Sequence, residues 1–286
     1  MPLLAWFEVW YSMMQHGGIS MKVAEDIGAV QETAWLMTHK IREALRSHKD
    51  GMMLGGHGII VEIDEAFPGG LERFKHYKDR LFPGKGYGGK KGLISIVERG
   101  DSGRRITVKL PDKWVRNKKG KKIKIPDVSE KVVREIILRH VKPGTVAMTD
   151  SSDVYDGLKA LGYEHHSVNH KRHQYVVKLP DNPAIGKAHT NTVESSHRGV
   201  KTRHRNHVHY SRKHAQRYYD ETDFYWNNAR VFKEKKGILV FAKRRAPTVE
   251  AFEEFLRGCL GKTLSYKQLT GKYRNPKKRR KRRKAG

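Results

Sequence analysis

Apolar positions recur every three or four residues through the first 45 residues, in AWFEVWYSMMQHG from Ala5 and again in ETAWLMTHKIREAL from Glu32, which predicts helices. Between them Ser20 reads as the cap of a short helix, MKVAEDIG, and Gly28-Ala29 as a turn. Two short helices joined at a glycine turn suit a helix-turn-helix, whose second helix can lie in a major groove; a plain helical hairpin packed on the next domain fits the pattern about as well. In the first case Gln31, Glu32, Thr33 and His39 would face bases.

The pattern changes after Gly58. IIVEIDEAF is a strand, and GLISIVERGDSGRRITVKLP reads as two strands around a GDSG turn. VSEKVVREIILRHV is an amphipathic helix, GTVAMTD a short buried strand, SDVYDGLKALG a helix and HHSVNH another strand. A long helical stretch follows from His189 to about Asn206, and RKHAQRYYDETDFYWNNAR is a second. The order β-β-β-α-β-α-β, three antiparallel strands and then parallel α/β units, predicts an α/β domain with a ribonuclease-H-like mixed sheet and flanking helices, preceded by an all-α region. The expected division is 1–50, 56–232 and a basic extension over 233–286 whose tail, 275–286, reads as disordered.

Charge narrows the function. Lys and Arg number 59 against 30 Asp and Glu, a formal charge of +29, and the pI is about 10.1. Such an excess points to a polyanionic partner, most naturally nucleic acid, whose bound counterions are released when phosphates are neutralised. Lys277 to Lys284 are all basic, which suits a nucleic-acid-binding tail or a nuclear localisation signal. Cys259 is the single cysteine, so neither an intrachain disulfide nor a cysteine zinc site can form within these residues. No apolar run approaches the roughly 20 residues of a membrane span. The expectation is a soluble, intracellular protein, nucleoid-associated, or nuclear in a eukaryotic source.

Against that basic background IVEIDEAFPGG places Glu62, Asp64 and Glu65 in one apolar strand. Asp150 ends the fourth strand and Glu194 opens the long helix after the fifth. Since the first and fourth strands of such a sheet are neighbours, acids distant in sequence converge. Clustered carboxylates repel unless divalent cations sit between them, and Mg²⁺ favours hard oxygen ligands with positions left for phosphate. Each acid also has a structural reading: Asp64 and Glu65 as residues before a Pro68-Gly69-Gly70 turn, Asp150 as a helix cap, Glu194 as a first-turn acid favoured by the helix dipole. The joint arrangement in the right element order favours metal.

The runs IVEIDEAFPGG, YGGKKGLISIVERG, GTVAMTDSSDVYDGL, HHSVNH, AHTNTVESSHRGVKTRH and YSRKHAQRYYDETDFYWNNAR resemble the bacterial insertion-sequence DDE transposases related to the eukaryotic Merlin elements, and ISMKVAEDIGAVQETAWLMTHKIREAL resembles the helix-turn-helix before their catalytic domain. The likeness covers about residues 3 to 232. It implies metal-dependent DNA cleavage and strand transfer, with Mg²⁺ (Mn²⁺ as substitute) held by Asp64, Asp150 and Glu194. It further implies DNA partners, both element ends and target, and a homo-oligomer that brings two ends together. Asn191 shares a helical face with Glu194, Arg198 and Lys201, and is the reserve third ligand because some relatives use an Asn there. Arg198 and Lys201 are then phosphate contacts, although a solvated basic face is the plainer reading of Lys201. Relatives commonly begin with a zinc ribbon, which these residues do not contain.

GKGYGGKK, ending in Lys90 and Lys91, nearly matches a phosphate-binding loop, but Lys91 stands where Ser or Thr would hold Mg²⁺ and a strand follows; it reads instead as a basic loop over DNA. His204, His207 and His209 resemble a metal cluster without a fourth ligand, and read as surface residues. The alternative from another class is a catalytically inactive or domesticated DNA-binding protein derived from such an element.

Overall fold

In a computed structural model of the chain the described residues are all except 70–73, 75, 77–89, 101–102, 118–119, 121, 181–184, 208–209, 229, 236–237, 244–247 and 272–286. The basic run Lys277 to Lys284, most of the GKGYGGKK stretch and His209 therefore lie outside them.

Three helices come first: α1 (Leu3–His16), α2 (Ser20–Asp26) and α3 (Gln31–Leu45). Gly17 closes α1 at φ 82°, its N–H bonding to Met13 O, and Gly28 makes the turn before α3 at φ 59°. Positive φ is a conformation glycine adopts without strain. Ser20 is not the cap expected of it: Ile19 holds that position and Ser20 is the first helical residue.

The central sheet contains β1 (Ile60–Ala66), β2 (Leu93–Glu98), β3 (Arg105–Lys109), β6 (Val146–Asp150) and β7 (Glu164–Val168), in the order β3-β2-β1-β6-β7. β1 is antiparallel to β2 and β2 to β3, whereas β6 runs parallel to β1 and β7 to β6. That order and those directions make the sheet ribonuclease-H-like, as expected. Between β3 and the helix α4 (Glu130–His140) lies a hairpin of β4 (Asp112–Arg116) and β5 (Lys122–Pro126), which the pattern reading did not separate out. The helix expected after β6 is a 3₁₀ segment, Asp153–Leu161. A short pair, β8 (Val177–Lys178) with β9 (Lys187–Ala188), precedes the long helix α5 (Asn191–Asn206), then α6 (Ala215–Asn228). Residues 233–286, expected as a basic extension, contribute to the hairpin β10 (Arg230–Lys235) and β11 (Ile238–Lys243), and hold α7 (Val249–Cys259) and α8 (Tyr266–Thr270).

Strand alternation divides the core. Val61 and Ile63 of β1 face α4 and the 3₁₀ segment, packing with Val133, Ile137 and Leu158. Ala66 and Leu93 face the other way, against Val200 of α5 and Ala215 and Tyr219 of α6. The N-terminal helices share one apolar core with later elements, Val9, Met13 and Ile41 packing with Phe224 of α6 and with Ala251 and Phe255 of α7. Gly258 lets α7 approach α3, since a Cβ there would lie 2.3 Å from Ala44 O.

Candidate active site

The parallel register of β1 and β6, with Glu62 opposite Met148, carries Asp64 and Asp150 to the same end of two adjacent strands. Asp150 Oδ1 accepts a hydrogen bond from Ser152 N (3.1 Å), which turns the chain out of β6. α5 crosses the face of the sheet toward which Asp64 points, with Val193, Ser196, His197 and Val200 buried beneath it and Glu194 in its first turn. Asn191, Glu194, Arg198 and Lys201 lie on its exposed side, as their spacing predicts.

Burial, followed by repulsion from Glu65, Asp150 and Glu194, raises the Asp64 pKa to about 8. Glu65 is raised to about 7, first by burial and then by Asp150, against a hydrogen-bonding influence from Tyr155. Adjacent strand residues point to opposite faces, so Glu65 meets the fully buried Tyr155 on the α4 side while Asp64 faces α5. Glu65 Oε1 is buried and accepts no hydrogen bond of normal geometry. Among the described residues the base beside Asp64 is His197, whose Nδ1 is 3.5 Å from Asp64 Oδ2. Burial, then Lys201 and Arg105, push His197 down to about 3, so it is neutral at physiological pH and supplies no counter-charge.

Glu62 differs from its neighbours and was singled out only as one of three strand acids. Its side chain is fully buried and saturated: Oε2 accepts from the backbone N–H of Thr192 (2.7 Å) and of Val193 (3.0 Å), and Oε1 from Thr192 Oγ1 (2.9 Å) and Arg99 Nε (2.5 Å). A β1 carboxylate therefore caps the first turn of α5, whose own cap residue Thr190 makes no side-chain cap bond. Arg99 continues to the carbonyls of Lys187 (3.0 Å) and His189 (2.6 Å), which fastens the approach to the helix as well. No local motif marks this role, because the bonded groups are about 130 residues apart.

Glu194 Oε1 accepts from Thr190 Oγ1 (3.0 Å) and lies 3.5 Å from His170 Nε2. Among the described residues no three His, Cys, Asp or Glu side chains already stand as a metal site. The donor chemistry nonetheless fits a hard divalent cation: carboxylate oxygens of Asp64, Asp150 and Glu194, the first held above its normal pKa by burial and by neighbouring acids.

Of the expected DNA contacts, Gln31 is exposed, with its amide 3.4 Å from Ser20 Oγ, and Thr33 is half-buried. His39 is a correction. It is fully buried against Trp35, His214 and Tyr218, on the side of α3 that packs on α6, and cannot reach a base. Lys90 and Lys91 are half-buried, Lys91 Nζ lying 4.4 Å from the centre of the Tyr210 ring. His204 and His207, expected at the surface, pack edge-on against Tyr210, and burial lowers the His207 pKa to about 4.

Among the described residues no helix is long and apolar enough to cross a membrane. Residues 53–227 match the family described as the ISXO2-like transposase domain. No curated protein matches the chain. Among solved structures, the crystal structure of the Mos1 strand transfer complex is similar at 12% identity over 78% of this chain and 76% of that one, with a TM-score of 0.18. That score is too low to bear on the fold, which rests on the strand order.

Proposed function

The chain belongs to the ISXO2-like transposase family, and from that premise we propose that it cuts DNA at the ends of an insertion element and joins the freed 3′-hydroxyl to target DNA, with Asp64, Asp150 and Glu194 as metal ligands. The observation that carries the proposal is the Asp64 environment: a half-buried carboxylate raised to about 8 by desolvation and by three other acids, in a chain of net charge +29. Mg²⁺, or Mn²⁺ in its place, when bound by these carboxylates would activate the attacking oxygen and stabilise the leaving one. Glu194 joins the pair by giving up its bond to Thr190, and Asn191, one turn away on the same exposed face, is the competing third ligand. Arg198 and Lys201 extend that face along α5 and hold the phosphates on either side of the cut; Gln31 and Thr33 at the start of α3, and Lys90 and Lys91 before β2, meet DNA farther out. Hydrolysis breaks the bond between phosphorus and the 3′ oxygen. In strand transfer that oxygen attacks a target phosphate, one phosphodiester forming as another breaks, so no ATP is consumed. Two ends must be held together, which calls for a homo-oligomer on DNA.

Cleavage and strand transfer of element-end DNA, assayed with Mg²⁺, with Mn²⁺ and with chelator, test this reading. Asp64→Asn, Asp150→Asn and Glu194→Gln should each lower both activities by orders of magnitude while DNA binding survives. Full activity in Glu194→Gln with a dead Asn191→Ala would move the third ligand to Asn191, and full activity in Asp64→Asn would overturn the mechanism.

A further inference from the structure

The β4–β5 hairpin has a role that neither the fold nor the carboxylates require. Its register sets Trp114 opposite Lys124 and Arg116 opposite Lys122, so these four side chains share one face of the ribbon, while Val115, Ile123 and Ile125 turn to the other. Trp114 is 62% exposed, unusual for so large an apolar side chain, and Lys124 Nζ stands 4.9 Å from its ring centre. Arg116, Lys122 and Lys124 are all exposed, and among the described residues none pairs with an acid. Asp112 at the base is already bound by Arg212 and Lys109. A cationic face with one exposed aromatic ring suits a phosphodiester chain whose charges are neutralised by the cations and whose bases or sugars pack on the ring.

The ribbon stands where the proposed chemistry needs such a contact. Ala66 pairs with Leu93 and Leu93 with Lys109, so β3 ends at the same edge of the sheet at which β1 presents Asp64, two strands or about 10 Å away. The chain enters β4 three residues later, and five-residue strands at about 3.3 Å per residue carry the ribbon roughly 15 Å outward. Its base is fixed. Arg212, just before α6, donates to Asp112 Oδ1 (2.5 Å), Lys90 O (2.6 Å) and Lys124 O (3.2 Å), and Gly92 lets Pro126 pack so closely that a Cβ there would lie 2.4 Å from the proline ring.

We propose that the Trp114/Arg116/Lys122/Lys124 face of this hairpin is a second DNA-binding surface, which grips the substrate DNA beside the cut. The proposal rests on the transposase reading. It is tested by binding, in which the acids take no part, so the two can fail separately. The full chain is titrated with a fluorescently labelled duplex of arbitrary sequence at several salt concentrations. Arg116→Gln/Lys122→Gln/Lys124→Gln should reduce the slope of log K against log salt by about 2 to 3, at roughly 0.9 per phosphate contact. The control Lys131→Gln/Arg134→Gln/Arg139→Gln, three exposed cations of α4 on the opposite face of the sheet, should leave it unchanged. On the same duplex carrying a single-stranded overhang, Trp114→Ala should weaken binding by about tenfold, within the range for loss of one aromatic–base stack. A slope unchanged in the hairpin variant, or reduced equally in the control, overturns the proposal, as does unaltered affinity in Trp114→Ala. Absence of DNA binding by the wild-type chain would instead remove the transposase reading beneath it.

Discussion

Two groups of acids lie on one face of the same sheet, one buried and one half-open, and they are treated in opposite ways. Asp220, Glu221 and Asp223 of α6 are matched by cations: Arg42 Nε (2.7 Å) and Arg203 Nη1 (2.6 Å) on Glu221, Arg105 Nε (2.7 Å) on Asp223, and Lys49 Nζ between Asp220 (2.6 Å) and Asp223 (2.7 Å). Burial opposes ionisation of Glu221 and Asp223, yet these partners outweigh it and hold both below the usual carboxylate range. Two strands away, past Ser95 and Thr107, Asp64 faces the same side, with a neutral histidine the one base beside it among the described residues, and is pushed up to about 8. A chain with 59 lysines and arginines had cations to spare for that position. Removing charge from water costs several kcal/mol per ion unless it is paired, so a carboxylate held above its normal pKa beside a neutral histidine is what a site expects when its cation comes from solution.

The paired group is also what joins the N-terminal helices to the rest. Arg42 of α3 reaches Glu221, Lys49 reaches Asp220 and Asp223, and Arg105 donates to Ser196 O of α5 as well (3.2 Å). Removing residues 1–46 would therefore strip Arg42 from a buried carboxylate and open the core shared with Phe224 and Phe255.

The contrast gives graded predictions. The largest effect belongs to the paired group: Arg42→Ala takes one of two cations from Glu221, leaving Arg203, and Arg105→Ala takes one of two from Asp223, leaving Lys49, at a cost of up to about 3–5 kcal/mol. The melting temperature followed by circular dichroism should fall on the order of 10 °C. An unchanged value would show that the pairing does not hold the structure. Glu62→Ala comes next, since it strips two helix N–H groups and Arg99 of their acceptor, at about 2–3 kcal/mol. Glu62→Gln, which can still accept, should lose about half as much; equal losses would argue against the capping role.

The smallest effect has the opposite sign. Below about pH 3 Asp64 is protonated in both the folded and the unfolded chain. As pH rises toward 8 the unfolded chain ionises it while the fold resists, so the wild type loses stability until the folded pKa is passed. In chelator, Asp64→Asn should thus match the wild type near pH 3 and melt a few degrees higher above pH 8. A variant less stable than wild type at high pH would mean that the carboxylate is already compensated.

How much of this was legible in the sequence follows from how local each signal is. The strand order and the placement of Asp64 on the first strand, Asp150 at the end of the fourth and Glu194 on the long helix could be read, because period-2 and period-3.6 patterns and turn residues are local. His39 was misplaced because periodicity shows which α3 residues share a face but not that this face is covered by Tyr218 and His214. Glu62 looked like its neighbours since its partners lie on another element. The hairpin went unseen although WVR and KIKI alternate by two, their many lysines reading as loop. Docking of α7 on α3 through Gly258 is a long-range close approach that composition alone cannot signal.

The central claim is that Asp64, Asp150 and Glu194 bind a divalent cation, and calorimetric titration of Mn²⁺ into the DNA-free chain tests it most directly. Heat of binding should be present in the wild type, abolished in Asp64→Asn and in Asp150→Asn, and retained in the α4 triple variant Lys131→Gln/Arg134→Gln/Arg139→Gln. Binding of equal affinity in Asp64→Asn, or none in the wild type, would contradict it.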